Sequence, residues 1–233
     1  MFCVQNRTIF APEETLFLFN LIMYKLERMG SVPFDVGVLS SLFPNQKHIV
    51  AKARALERSG AIIRLKKGLY VANMEGSGSP LCRELIANHL YGPSYVGGVY
   101  ALRYYGLIPE TVHSVTSFTT KHSRCFQNPT GIYQYRNCWD DYFHLGIRME
   151  TINGMSFLIA SKEKALCDVI NFSKNLKLRF LKDVEQYLEY DIRFDIDELD
   201  NMDIGLLEKI AAVSRRTLSI NSLIKYLRHD RHI

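Results

Sequence analysis

Lys47, Arg54 and Arg58 recur at i, i+7 and i+11, with the small Ala51 at i+4 between them. On a helix those four positions share one face, and a small residue between cations lets such a face approach a partner closely. Asn45 and Gln46 stand immediately ahead of the stripe, and Lys66-Lys67-Gly68 follows it. Lys and Arg heads hold phosphates, while Asn, Gln and Arg can form paired hydrogen bonds to planar polar edges. This is chemistry for gripping a polyanion, not for making or breaking bonds.

Residue sets that would do covalent work are thin. Glu75-Gly76-Ser77-Gly78-Ser79 lacks the lysine and spacing of a phosphate-cradling loop, and Gly76-Ser77-Gly78 is too short for a nucleophile elbow. The seven histidines show no metal-ligand spacing; His113, His122 and Cys125 are a coincidence of loops, and His229 and His232 lie in a basic tail. Asp140-Asp141 and the acids from Asp183 to Glu208 could attract a divalent ion. A metal nuclease, however, wants carboxylates and a lysine on adjacent strand positions, and Glu163-Lys164 falls on an expected helix. No catalytic residue, metal site or cofactor is expected, and the chain is read as a non-enzyme.

The elements that must position the cations are legible. Pro12-Glu13-Glu14 opens a helix with apolar residues through Leu26 and a stop at Gly30. Asp35 is the expected N-cap of a short helix holding Val36, Val38, Leu39 and Leu42. Phe43-Pro44-Asn45 breaks it. A longer helix runs from about Gln46 to Ser59, with Ile49, Ala53 and Leu56 on the face opposite the cations. Ala61 to Leu65 and Leu69 to Ala72 read as strands joined by a tight turn at Lys66-Lys67-Gly68. Helix, short helix, break, basic helix and basic hairpin form the order of a winged helix-turn-helix. The partner expected for it is double-stranded DNA, with Asn45, Gln46, Lys47 and Arg54 toward the bases, and Arg58, Lys66 and Lys67 toward the backbone.

Charge distribution sharpens this reading. Residues 47–67 carry seven Lys/Arg against Glu57 alone, residues 183–208 carry ten acids against Arg193, and residues 209–232 carry six Lys/Arg against Asp230. The acidic block argues against a general nucleic-acid coat and would cover a basic surface, the tail included. Five dispersed cysteines without a Cys-x-x-Cys pair suit a reducing compartment. The opening residues lack the pattern of a secretion signal, and no apolar run approaches the roughly 20 residues of a membrane span, so a cytoplasmic protein without membrane contact is expected.

The cluster of small and helix-breaking residues after Ala72 sets the expected domains: 1–74 the winged helix-turn-helix, 75–80 a linker, 81–233 a second, mixed α/β domain. The class is α+β. In the second domain Leu81–Leu90, Gly98–Tyr105, Lys162–Phe172, Ile204–Val213 and Leu218–Arg228 read as helices. Ser114–Thr119, Ile132–Tyr135, Ile147–Ile152 and Met155–Ile159 read as strands. Asn153-Gly154 joins the last two in an antiparallel hairpin, and the C-terminus is helical.

Arg64 to Val71, then Tyr95-Val96-Gly97-Gly98-Val99-Tyr100-Ala101-Leu102-Arg103-Tyr104-Tyr105-Gly106-Leu107-Ile108-Pro109-Glu110, resemble the AbiE-type abortive-infection antitoxins. Val115-Thr116-Ser117, Gly131 to Tyr135 and Ala160 to Asp168 fit in the same order, so the resemblance spans roughly residues 60 to 170. It implies an autorepressor that binds inverted repeats in its own promoter. It also implies the antitoxin half of a type IV toxin–antitoxin pair, opposing a nucleotidyltransferase-like toxin without a stable complex. Most matched positions read as core or turns, with Lys162 to Lys164 as helix capping and surface charge. Arg103, Tyr104, Tyr105, Lys162 and Lys164 are the residues a partner or antitoxin surface would use. Two other readings stay open: a winged-helix regulator whose second domain senses a ligand or protein, without a toxin, and a nucleic-acid-processing enzyme.

Overall fold

A computed structural model describes residues 21, 24–26, 28–44, 46–73 and 80–230. The helix expected from Pro12, apart from the helical residues 21 and 24–26, falls outside them, as do residues 74–79, which hold all but the last residue of the expected linker 75–80, Asn45 and the last three residues. The chain is mixed α+β and divides into two compact units, Met1–Leu81 and Cys82–Ile233.

In the first unit the short strand β1 (Phe34–Asp35) leads directly into α1 (Val36–Leu42). Asp35 caps that helix, its Oδ1 accepting from the Val38 N–H at 2.9 Å, as expected of a side-chain oxygen at this position. The chain then turns into α2 (Ile49–Arg58), and β2 (Ile62–Lys66) and β3 (Leu69–Ala72) form an antiparallel hairpin. β1 pairs with β3, giving the strand order β1-β3-β2. Leu26, Phe34, Leu39, Ala53, Leu56, Ala61, Ile62, Tyr70 and Ala72 form the core, with Ile49 packed against it. The apolar face of α2 is therefore the one its periodicity predicts. The helix starts at Ile49, after an N-cap His48 that makes no side-chain cap bond, so Gln46 and Lys47 lie in the turn ahead of it and not on it as the periodicity predicts.

The second unit is built on a six-stranded sheet ordered β6-β7-β5-β4-β9-β8. Its strands are β4 (Tyr95–Val96), β5 (Ser114–Thr119), β6 (Arg124–Asn128), β7 (Gly131–Asn137), β8 (Ile147–Ile152) and β9 (Met155–Ala160). Pairs β4–β9 and β5–β7 are parallel, and the others are antiparallel. α3 (Arg83–Leu90) covers one face, where the Tyr135 hydroxyl donates to the Ala87 carbonyl at 2.6 Å. α4 (Gly98–Tyr104) and α6 (Lys162–Phe172) cover the other, where Phe118 packs on Phe172 at 4.8 Å between ring centroids. β4 is too short to complete its neighbour. The Asn88 amide of α3 substitutes for the missing strand, accepting from the Leu158 N–H at 2.6 Å and donating to its carbonyl at 3.2 Å.

A four-residue helix, α5 (Asp140–Phe143), precedes β8. After α6 the acidic stretch is not one helix. It breaks into α7 (Leu181–Gln186), a π-turn over Tyr187–Asp191, a 3-10 segment over Ile196–Asn201, and α8 (Ile204–Val213). α9 (Thr217–Asp230) packs on α7 and α8. Its acids are spread accordingly: Glu208 pairs with Arg228 of the basic α9, Glu198 with Lys162, and Arg193 turns back to Glu110. Among the described residues no helix is long and apolar enough to cross a membrane.

Candidate nucleic-acid interface

The burial of Ala53 and Leu56 fixes which way α2 faces, and its opposite side carries the cations outward. Gln46, Lys47, Ala51, Arg54 and Arg58 are all exposed. Arg58 folds back along the helix, its Nε donating to the Arg54 carbonyl at 3.3 Å. Lys52 lies to the side over the Phe43 ring, 5.2 Å from its centroid. No acid stands on the exposed stripe; Glu57 is half-buried on the flank.

The hairpin turn matches its residues. Lys66 pairs with Leu69 across Lys67-Gly68, and Gly68 takes φ of +78°, a conformation glycine adopts without a Cβ penalty. A bulge between Arg64 and Lys66 shifts the register, so that Leu65 turns into the core while Lys67 stays exposed. Arg64 is exposed on the same strand. The first unit therefore presents two separate cationic features, a helix face and a hairpin tip. Asn45 lies outside the described residues.

In the second unit, Arg103, Tyr104 and Tyr105 are adjacent in sequence but serve different neighbours. The Arg103 guanidinium donates to the Ile108 carbonyl at 3.4 Å, Tyr104 sets its ring edge-on to Phe157, and the Tyr105 hydroxyl donates to the Ala160 carbonyl at 3.0 Å. Burial pushes the Tyr105 hydroxyl well above its ordinary range. Lys162 is partly exposed and bound to Glu198.

Lys164 corrects the expectation of an exposed surface: it is fully buried. α6 is enclosed by the sheet, α4 and α8, and only Lys162 of its opening charged triplet points outward. The Lys164 ammonium donates to the Tyr142 carbonyl and sits over the Tyr142 ring, 3.0 Å from its centroid. One helical turn on, the equally buried Asp168 accepts from Tyr142 Oη at 2.8 Å, Tyr95 Oη at 3.1 Å and the Gly98 N–H at 3.3 Å. Tyr142 thus stands between the charges, with its π face on the cation and its hydroxyl on the carboxylate. Burial pushes Asp168 up to about 6, opposed by Lys164 and the three donors. Burial pulls Lys164 down to about 8, opposed by Asp168. The sequence holds a signal for this pair, since Lys164 and Asp168 lie at i, i+4 amid Ala165, Leu166, Cys167 and Ile170. Among the described residues no three His, Cys, Asp or Glu side chains gather as metal ligands.

Compared with models of known protein families and with curated proteins, the chain matches none.

Proposed function

We propose that the first unit is a winged helix-turn-helix that binds double-stranded DNA, with α2 in the major groove and the β2–β3 hairpin as the wing. The observation that carries this reading is the exposed, acid-free face of Arg54 and Arg58 on a helix whose other face is locked into the core, with exposed Lys47 in the turn just ahead of it. A short capped helix precedes it and a lysine-tipped hairpin follows, and the order of the elements supports the same reading. Gln46 and Lys47, in the turn leading into the N-terminal end of the helix, and Arg54 on its exposed face are assigned to base edges, whereas Arg58, Lys66 and Lys67 hold phosphates.

On the strength of the AbiE-type resemblance, we further propose that the chain represses its own promoter. It would also act as the antitoxin to a nucleotidyltransferase-like toxin, without a stable complex between the two.

The test is a mobility shift on DNA from the chain's own upstream region, with unrelated competitor and at two salt concentrations. A discrete complex should survive competitor. Arg54→Ala should weaken it by about 1–3 kcal/mol if its guanidinium makes a paired contact to a base. Lys66→Ala with Lys67→Ala should weaken all sequences alike and lower the salt slope by roughly 1 to 2. Binding that competitor and salt both abolish would sink the proposal. A wing pair that alters sequence preference while the helix residues do not would reverse the assigned roles.

A further inference from the structure

The outer edge of the second unit's sheet is shaped to pair with itself. Among the described residues β8 pairs only with β9, so its other side is an open strand edge there. The hairpin fixes which groups face that edge. Ile152 and Met155 close the two-residue turn at Asn153-Gly154, whose φ values of 51° and 76° are those of a primed turn. Residues flanking such a turn exchange hydrogen bonds, and bonded and non-bonded pairs then alternate along the ladder. Ile152, Glu150 and Arg148 accordingly direct their backbone groups to β9, and Thr151, Met149 and Ile147 direct theirs outward. The Thr151 and Ser156 hydroxyls, 2.8 Å apart, sit where close, non-bonded pairs belong.

We propose that two copies of this chain associate by antiparallel pairing of β8 with β8, with Met149 on the two-fold axis. In that register Met149 meets Met149, and Ile147 meets Thr151, all through outward-facing backbone groups. Arg148 of each copy falls opposite Glu150 of the other, in the non-bonded positions where side chains lie closest. Neither Arg148 nor Glu150 is in an ion pair among the described residues. On the opposite face Met149 is 71% exposed beside Leu158, itself 41% exposed. The pairing joins these into one row of Leu158, Met149, Met149 and Leu158 across four strands. Such a two-fold contact closes on itself and makes a dimer, not a fibre.

The other edge of the sheet lacks this complementarity. Turning β6 on itself about Phe126 would set Arg124 against Asn128. Arg124 already lies over the Tyr91 and Phe126 rings, at 5.8 and 5.3 Å. An edge pairing of β8 buries less than a standard interface, so the dimer exchanges with monomer as concentration changes. The inference stands independently of DNA binding and is measured without DNA.

The experiment is sedimentation velocity of the full chain over a concentration series. The unaltered chain should shift from monomer to dimer. Arg148→Glu alone and Glu150→Arg alone each turn both cross-strand pairs into like charges and should weaken association roughly tenfold or more. Mixed together, these two variants should form a heterodimer, because each chain then offers a single sign of charge. The swapped double variant R148E/E150R should dimerise like the unaltered chain. Met149→Pro removes an outward N–H without touching the β9 ladder and should leave a folded monomer by circular dichroism. A monomer at all concentrations would overturn the proposal. So would a dimer that persists in both charge variants and in M149P.

Discussion

Lys164→Met will destabilise the chain by about 3 kcal/mol at pH 7 and by little or nothing at pH 5. The magnitude is the lower end for breaking a buried ion pair, because Tyr142 stands between the two groups. The pH dependence follows from Asp168. Burial raises its carboxyl from 3.8 to about 6, so the native state holds a proton that the unfolded chain releases. The stability tied to this group is therefore greatest below the unfolded value and is lost as pH rises through about 6. Removing the ammonium drives the carboxyl further up, and the loss above that point deepens. At pH 7, below the Lys164 value of about 8, the unaltered chain has both charges in place, while the variant must either bury a carboxylate without its cation or take up a proton to neutralise it, and both cost stability. At pH 5 the carboxyl is protonated, and the variant is also relieved of a buried ammonium. Trp139, the chain's single tryptophan, packs against Tyr142 at 4.7 Å and would report unfolding in urea at both pH values. K164M/D168N, with neither charge, should recover much of the loss. Equal destabilisation at the two pH values, or simple additivity in the double variant, would reduce Lys164 to a packing role.

How far such features can be read from sequence depends on what determines them. α2 has a polar face and an apolar face, so period alone places Ala53 and Leu56 inside and Arg54 and Arg58 outside, whereas Lys47 is exposed in the turn ahead of the helix. The Asp35 cap and the Asn153-Gly154 turn are local chemistry and were legible for that reason. α6 begins and ends at the expected residues, and Ser161 caps it as expected. Its orientation was not legible, because it is buried on nearly every side and amphipathicity then carries no direction. Glu163 and Lys164, which look like solvated charges after a cap, were misplaced for that reason. β6 was missed because its sequence, Arg-Cys-Phe-Gln-Asn, lacks an apolar alternation. Its outward residues Cys125 and Gln127 belong to an open, polar part of the sheet. β4 is only two residues long, and nothing local distinguishes it from a loop. The cationic face of α2 was accessible to sequence, whereas the Lys164–Tyr142–Asp168 arrangement needed the fold to bring α5 against α6.

Gly97→Ala carries the second large effect, and it tests the same arrangement from its other side. The backbone at Gly97 is extended, with φ of −154°, so any residue could adopt it. The requirement for glycine is steric. A Cβ there would come within 2.4 Å of Asp168 Oδ2 and 2.8 Å of Phe118 Cδ2, and both side chains are buried. Gly98 next to it has a different reason: its φ of +60° is left-handed, while its nearest neighbour would be at an ordinary 3.5 Å. Overpacking a buried site costs roughly 1–3 kcal/mol. The upper part of that range is expected here, because the carboxylate cannot retreat without stretching its bonds from Tyr95, Tyr142 and Gly98. The tyrosines supply a distinguishing readout. Their hydroxyls are held well above the ordinary range by burial and by Asp168, so displacing the carboxylate should lower their titration in the folded protein. In G97A, urea stability should fall by about 3 kcal/mol, and phenolate absorbance should rise at lower pH. Asp168→Asn in the G97A background should cost less than in the unaltered chain, since the two changes damage one network. If G97A is as stable as the unaltered chain, the contact between the Gly97 backbone and Asp168 is not what holds α4 against α6.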